Sequence, residues 1–165
     1  MNAIAQFEKV SLKQFAEAWK DTFGTEPTGY DDLVLPKRAT TGSAGYDFRT
    51  PCDIHLAPGE TAKIPTGIRA KMEEGWVLQI FPRSGLGFKY RLQLDNTVGI
   101  IDSDYYYSDN EGHIFIKITN DTHSGKTVDL KAGDAFAQGI FLPFGITVDD
   151  ATTSSRNGGF GSTGK

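Results

Sequence analysis

The chain has 165 residues, a formal net charge of -4 and 38% hydrophobic residues, values typical of one compact domain with a buried core. The acidic balance leaves no basic surface for nucleic acid or for an anionic membrane, so we expect neither as a partner. One cysteine, no apolar run of membrane-spanning length and no secretion-type leader together predict a cytoplasmic, water-soluble protein.

The N-terminal region is predicted to form a short first strand and then an amphipathic helix over residues 11–24. Ser11 followed by Gln14 is typical of a capping box, and Gly24 suits a helix end. Residues 25–34 indicate a linker. The apolar face of the helix must be buried, either on the chain's own barrel or against a subunit or partner. That face carries Leu12, Phe15, Ala16, Trp19 and Phe23.

From residue 45 onward the sequence is typical of β-structure. In two segments, residues that we expect to face inward alternate with residues that we expect to face outward. This alternation predicts strands with one buried face. Frequent turn signals divide the region into many short strands, as in a sandwich or a jelly roll, and no helix alternates with a strand. The inward-facing positions are Ala62, Ile64, Thr66, Ile68, Ala70 and Met72, and then Ile114, Ile116 and Ile118.

The stretch 94–107 carries the most distinctive pattern. It places Asn96, Gly99, Asp102 and Tyr105 at three-residue steps among β-branched residues, which predicts a tight hairpin that bends at Gly99. An Asn side chain with nearby backbone groups can read the edge of a pyrimidine, and an ionised Asp can deprotonate a water. The alternative is a turn with a solvated Asp pair and a packed Tyr.

A second group of residues suits phosphate. Arg83, Ser84 and Gly85 follow a predicted strand and supply a guanidinium, a hydroxyl and an approachable backbone N–H within a Gly-rich bend. Arg83 is alternatively the partner of an acidic residue, for which Asp134 is a candidate. Gln138 lies four residues after Asp134 on a predicted strand, so we expect the two to share a face, pointing either into one site or to solvent.

Five segments, in order along the chain, resemble the five motifs of the trimeric dUTPase family, and the resemblance covers about residues 35–165. It implies an all-β fold, a jelly-roll-like distorted β-barrel, here with the N-terminal helix inserted after the first strand. It also implies a homotrimer whose sites draw on all three subunits. Residues 1–150 would form a single domain and residues 151–165 a mobile, Gly-rich lid. The five segments span residues 43–47, 82–85, 96–105, 133–138 and 156–164.

The same resemblance implies that the protein hydrolyses dUTP to dUMP and pyrophosphate, which removes dUTP from the nucleotide pool and supplies dUMP for thymidylate synthesis. Asp102 is implied as the catalytic base, Asp47 as the residue that holds Mg²⁺ through a water, and Asp134 as structural. The lid residue Phe160 is implied to stack on the base. The implied substrate-binding residues are Arg83, Ser84, Gly85, Asn96, Gly99, Ile101, Tyr105, Gln138, Arg156, Phe160, Gly161 and Ser162.

Two features depart from the family pattern. Arg156 precedes Phe160 by four residues where the family usually has five, and residues 106–112 lengthen the hairpin after Tyr105. Two other functions stay open. One is dCTP deamination, whose family shares the fold but carries a catalytic Glu and a serine-rich motif not found here. The other is a regulatory protein that uses nucleotide as a switch and contacts a protein partner through the N-terminal helix.

Overall fold

The computed structural model describes residues 2–156, in which the chain forms twelve strands, two α-helices and one 3-10 helix. Within this range no helix is both long and apolar enough to cross a bilayer. The strands are β1 Ala5–Lys9, β2 Lys37–Arg38, β3 Tyr46–Arg49, β4 Ile54–Leu56, β5 Thr61–Pro65, β6 Ile68–Met72, β7 Trp76–Pro82, β8 Leu92–Leu94, β9 Gly99–Asp102, β10 Phe115–Asn120, β11 Val128–Leu130 and β12 Ala135–Pro143. The helices are α1 Leu12–Phe23, α2 Ser84–Tyr90 and the 3-10 helix Ser103–Tyr107.

The strands assemble into antiparallel sheets around one main core. The largest sheet has the order β2-β3-β12-β7-β9, and the others are β5-β10-β8, β1-β6 and β11-β4. Phe48, Leu78, Ile118 and Phe136 are among the fully buried side chains between them. The predicted all-β, jelly-roll-like fold with one helix after the first strand is confirmed.

The predicted alternation along β5 and β10 is also confirmed. Ile64 and Ile116 lie opposite one another and are both buried, while the next pair, Lys63 and Lys117, is exposed. Period-two patterning therefore identified which face of these strands packs on the core.

Helix α1 begins and ends as its sequence predicts. The Ser11 hydroxyl accepts a hydrogen bond from the Gln14 backbone N–H at 3.1 Å, and Gly24 adopts a left-handed conformation with φ of 70°. Phe15 and Trp19 are buried against the chain's own barrel. Leu12, 55% exposed, does not join that contact, so the buried face is narrower than the pattern indicated.

The predicted tight hairpin is wrong, because the strands on either side of the turn belong to different sheets. β8 pairs with β10, whereas β9 pairs with β7. The bend is also not at Gly99, since the left-handed residue is Thr97, with φ of 70°. Gly99 lies within β9 and is needed for packing, because a methyl group there would lie 3.1 Å from Ile80 Cβ.

The predicted Gly-rich bend after Pro82 is a helix. Residues Ser84–Tyr90 form α2, and Leu86 and Tyr90, one helical turn apart, pack against the main core. Tertiary packing at these two positions outweighs the low helix propensity of the glycines between Ser84 and Tyr90.

Candidate active site

A cavity of about 630 Å³, which we call the β9 cavity, lies beside β9 and the turn before it. Its volume is in the range of pockets that bind small molecules. Its lining brings together six residues that the sequence singled out, namely Asn96, Gly99, Ile101, Asp102, Tyr105 and Arg156.

Asn96 stands at the exposed tip of the turn that enters β9. Its backbone carbonyl accepts a hydrogen bond from Val98 N at 2.8 Å, and Thr97 N donates to Leu94 O at 2.9 Å. These bonds fix the turn and leave the Asn96 side chain beside the cavity. An amide at this position can both donate to and accept from the edge of a planar base.

Asp102 ends β9 with its side chain 45% exposed at the edge of the cavity. Arg156 donates to the Asp102 carboxylate through Nη2 and to Asp104 Oδ1 through Nε, the latter at 2.8 Å. One guanidinium therefore holds two carboxylates of the same turn. The residue proposed to bind phosphate thus lies beside the residue proposed as the base.

Tyr105 lines the cavity and is almost completely buried. Its hydroxyl donates to the His113 carbonyl at 2.6 Å and accepts from Asn110 Nδ2 at 2.8 Å. Burial raises the pKa of Tyr105 above its ordinary value, although the hydrogen bond from Asn110 opposes this. The phenol is therefore protonated at neutral pH, and its contribution to the cavity is shape.

The cavity also contains residues that the sequence did not identify as site residues. Lys117 Nζ lies 3.1 Å from Asp95 Oδ2, and Lys63 Nζ lies 4.7 Å from the centre of the Phe115 ring. Lys63 and Lys117 are cross-strand neighbours on the outer face of β5 and β10. The alternating pattern predicted that both lysines lie on the outer face. It did not predict that the turn before β9 closes over that face.

A second set of predicted residues, the β12 cluster, lies where β3, β12 and β7 run side by side. It consists of Asp47, Arg83, Ser84, Gly85 and Gln138. Gln138 is opposite Asp47 on one neighbouring strand and Phe81 on the other, and its Nε2 donates to the Pro82 carbonyl at 3.1 Å. Ser84 and Gly85 are exposed in the first turn of α2.

Arg83 pairs with Asp47, with Nε 3.3 Å from Oδ1. The alternative partner considered for it, Asp134, lies in a turn instead, where its Oδ2 accepts from Lys131 N at 2.9 Å. A β-bulge between Ala135 and Ala137 interrupts β12. The expectation that Asp134 and Gln138 share a face requires a regular strand, and it is therefore wrong.

Asp102 and the β12 cluster lie at opposite ends of β7, although the cavity itself extends along β9 as far as Ile80. Val77 pairs with Asp102, whereas Pro82, five residues further along the strand, pairs with Ala137. At about 3.3 Å per residue the separation is roughly 16 Å. The remaining predicted residues, Phe160, Gly161 and Ser162, lie outside the described residues.

Comparison with known proteins gives a family match. The family model described as dUTPase matches residues 31–164. A deoxyuridine 5'-triphosphate nucleotidohydrolase of Lactococcus lactis subsp. lactis is 44% identical over 135 residues, which covers 80% of this chain and 89% of that protein.

Solved structures show the same fold. The dUTPase from Streptococcus mutans is 38% identical and superimposes with a TM-score of 0.66 over 87% of this chain and 98% of its own. A mutant dUTPase from phage phi11 of S. aureus, described with a structural Mg(II) ion, is 21% identical with a TM-score of 0.65, over 93% of this chain and 98% of its own. The latter likeness concerns the fold alone.

Proposed function

This chain belongs to the dUTPase family, and we propose that it hydrolyses dUTP to dUMP and pyrophosphate. The observation that carries the proposal is the β9 cavity, in which an exposed amide, Asn96, and a carboxylate, Asp102, border one space of substrate size. By this reaction the enzyme removes dUTP from the nucleotide pool and supplies dUMP for thymidylate synthesis.

Asp102 acts as the general base in this proposal. An aspartate carboxylate is ionised near neutral pH and can orient and deprotonate a water for in-line attack at the α-phosphorus. Asp102 is half-exposed at the edge of the cavity, so a water can reach it.

The walls of the β9 cavity select the nucleoside. Asn96 and the backbone near Gly99 hydrogen-bond uracil, Ile101 adds an apolar surface, and Tyr105 lies against the deoxyribose. Rejection of cytosine is the strongest discrimination, because its edge would leave buried polar groups of the site unpaired.

The phosphates are bound by the β12 cluster and by the lid. Hydrogen-bond donors to the phosphate oxygens come from Arg83, Ser84, Gly85 and Gln138. These donors stabilise the negative charge that develops on the phosphate oxygens in the transition state. In the proposed lid, residues 151–165, Arg156 pairs with the γ-phosphate and Phe160 stacks on uracil. Gly161 and Ser162 add further hydrogen bonds to the phosphates.

Mg²⁺ is the proposed cofactor, held by Asp47 through a water. The donor chemistry fits, because Asp47 presents a half-buried carboxylate within the cluster that binds phosphate. Mg²⁺ usually keeps several waters while it binds phosphate oxygens, so one carboxylate reached through water suits it. When bound, the ion neutralises phosphate charge.

We propose a homotrimer as the active form. Within one chain Asp102 and the β12 cluster are roughly 16 Å apart along β7, so a site that uses both takes Asp102 from one subunit and the cluster from another. Exposed apolar side chains after β12, namely Phe144, Ile146 and Val148, are suited to burial against another copy of the chain.

The proposal is tested by pyrophosphate release from dUTP, dTTP, dCTP and UTP, each with Mg²⁺ and with chelator. We expect rapid, Mg²⁺-dependent release from dUTP alone. Release of deaminated product from dCTP, or binding without turnover of any of the four nucleotides, would refute the hydrolase.

A further inference from the structure

The segment 106–112, which begins with the last two residues of the 3-10 helix, folds back on Tyr105. Asn110 Nδ2 donates to the Tyr105 hydroxyl at 2.8 Å, and Asn110 Oδ1 accepts from the backbone N–H of Gly112 at 3.2 Å. Gly112 has φ of 70°, and a methyl group there would lie 2.6 Å from Tyr106 Cα. Asn110 is therefore held in place by the tight backbone turn that follows it.

Asn110 and the His113 carbonyl hold the Tyr105 hydroxyl from two directions. Tyr105 lines the β9 cavity, whereas Asn110 and His113 do not. The ring is thus fixed from behind by two hydrogen bonds. A ring held in this way cannot swing aside without leaving buried polar atoms unpaired, which costs free energy.

The same segment is anchored to the N-terminal region. Tyr106 donates to Glu8 at 2.7 Å, and Glu111 accepts from Ser11 N at 2.7 Å and from Ser11 Oγ at 2.6 Å. Arg69 also binds Glu8, at 2.9 Å, and its guanidinium lies 4.4 Å from the centre of the Tyr106 ring. Segment 106–112 and the start of α1 therefore form one connected support behind Tyr105.

We propose that Asn110 is a positioning residue that fixes the Tyr105 ring so that the β9 cavity excludes a ribose 2′-hydroxyl. The inference rests on the proposed function, in which Tyr105 lies against the sugar. A 2′-hydroxyl has to displace the ring, and displacement breaks the bonds to Asn110 and His113. Without Asn110 the hydroxyl loses one of these two hydrogen bonds, so a 2′-hydroxyl displaces the ring more easily and UTP binds.

The test compares kcat/KM for dUTP and UTP in the wild type and in Asn110→Leu, which keeps a branched side chain and removes the donor. Loss of one buried hydrogen bond lowers the dUTP/UTP ratio by roughly tenfold, mainly through a lower KM for UTP. Tyr105→Phe, which removes the bonds to both Asn110 and His113, lowers the ratio at least as much. The double variant lowers it no further than Tyr105→Phe alone, because the bond to Asn110 is then already lost. Asn110→Asp is expected to lower the ratio as well, since the one hydroxyl proton of Tyr105 is already donated to the His113 carbonyl and a carboxylate supplies no donor.

Asn120→Leu is the matched control. Asn120 is a buried amide that donates to Leu56 O and Lys126 O, both at 2.9 Å, and it does not contact the β9 cavity. We expect this variant to lose at least as much stability as Asn110→Leu and to keep the wild-type dUTP/UTP ratio. An equal fall in the ratio in both variants, or an unchanged ratio in Asn110→Leu, overturns the inference.

Equilibrium binding of dUMP and UMP, measured by calorimetry, separates this inference from the hydrolase. A wild type that does not turn over dUTP but prefers dUMP to UMP, with the preference lost in Asn110→Leu, refutes the hydrolase and supports the role of Asn110. A wild type that hydrolyses dUTP but binds dUMP and UMP equally refutes the role of Asn110 alone. A wild type that neither hydrolyses dUTP nor binds dUMP refutes both.

Discussion

The β9 cavity and the β12 cluster differ in how completely a single chain builds them. The part of the cavity wall formed by Ile80, Gly99 and Tyr105 is buried, and Tyr105 is held by two hydrogen bonds before any substrate arrives. In the β12 cluster Arg83 remains 44% exposed and has only a 3.3 Å contact with Asp47. The Tyr105 wall is thus fixed in advance by the fold, whereas the Arg83 guanidinium stays accessible to the proposed phosphate ligand and to the proposed neighbouring subunit.

This contrast agrees with the demands of the two ligand parts. A base and a sugar are distinguished by small differences of shape, so a rigid wall is effective. A triphosphate is highly charged, and exposed guanidinium and carboxylate groups avoid the desolvation cost that burial of the empty site would impose. The four variants below test this division, from the largest expected effect to the smallest.

Asp102→Asn is expected to reduce kcat for dUTP by roughly 10³-fold with little change in KM, because the amide keeps the shape but cannot accept the proton. Asp104→Asn is the matched control, since Asp104 also binds Arg156 but does not line the cavity. We expect Asp104→Asn to retain most activity in the pyrophosphate assay. An equal loss of kcat in both variants would mean that activity depends on the contact with Arg156 and not on base catalysis by Asp102.

His113 makes the support behind the cavity sensitive to acid. Burial lowers the pKa of His113 to about 4, although the Glu111 carboxylate opposes this. The unfolded chain therefore binds more protons between about pH 4 and pH 6.5, so the free energy of unfolding rises with pH across that window and falls on acidification. The expected loss is roughly 3 kcal/mol between pH 7 and pH 4.

Urea unfolding of His113→Gln at several pH values checks this expectation. The Gln side chain can accept from Gly67 N, as His113 Nε2 does at 2.9 Å, but does not titrate. We expect a flatter pH dependence than in the wild type. His123→Gln, an exposed control, is expected to keep the wild-type slope. An unchanged slope in His113→Gln contradicts the assignment.

Gly45→Ala perturbs the β12 cluster selectively. A methyl group at Gly45 would lie 2.5 Å from Gln138 Oε1, so the Gln138 side chain must move. We expect kcat/KM for dUTP to fall roughly tenfold, the effect of losing one placed hydrogen bond, while binding of dUMP changes little. Gly42→Ala, where nothing lies within 4 Å of the added methyl, is the control. A shift in the dUTP/UTP ratio would contradict the division between the two regions.

Ser11→Ala is expected to have the smallest effect. Loss of the cap on α1 and of the bond to Glu111 lowers the free energy of unfolding by about 1 kcal/mol. Lys13→Ala, which removes only a 4.0 Å surface pair with Glu17, is expected to change stability very little. Chemical denaturation measures the free energy of unfolding of both variants. Equal values would show that the cap at Ser11 does not stabilise the protein.

The sequence predicted those parts of the fold that depend on nearby residues. The cap at Ser11, the helix end at Gly24 and the buried face of β10 follow from local chemistry and periodicity. The helix α2 was not predicted, because it depends on packing of Leu86 and Tyr90 on the core. The assignment of residues to roles came largely from the family resemblance.

Several contacts at the site could not be read from sequence because they depend on register between distant strands. The bulge at Ala135–Ala137 separates Asp134 from Gln138, and the order of β3, β12 and β7 brings Asp47 to Arg83. The bond from Asn110 to Tyr105 depends on left-handed backbone at Glu111 and Gly112. The sequence showed the extra residues there without indicating what they contact.

The central claim is that the β9 cavity of one subunit completes its site with the β12 cluster of another. Asp102→Asn and Arg83→Ala chains, each inactive alone, are co-expressed with different tags, and mixed oligomers are purified through both tags. In each mixed trimer purified in this way, about one site in three combines an intact Asp102 with an intact Arg83 from a different chain, so dUTP hydrolysis should return. Mixed oligomers no more active than the separate variants would contradict the claim, because each site would then lie within a single chain.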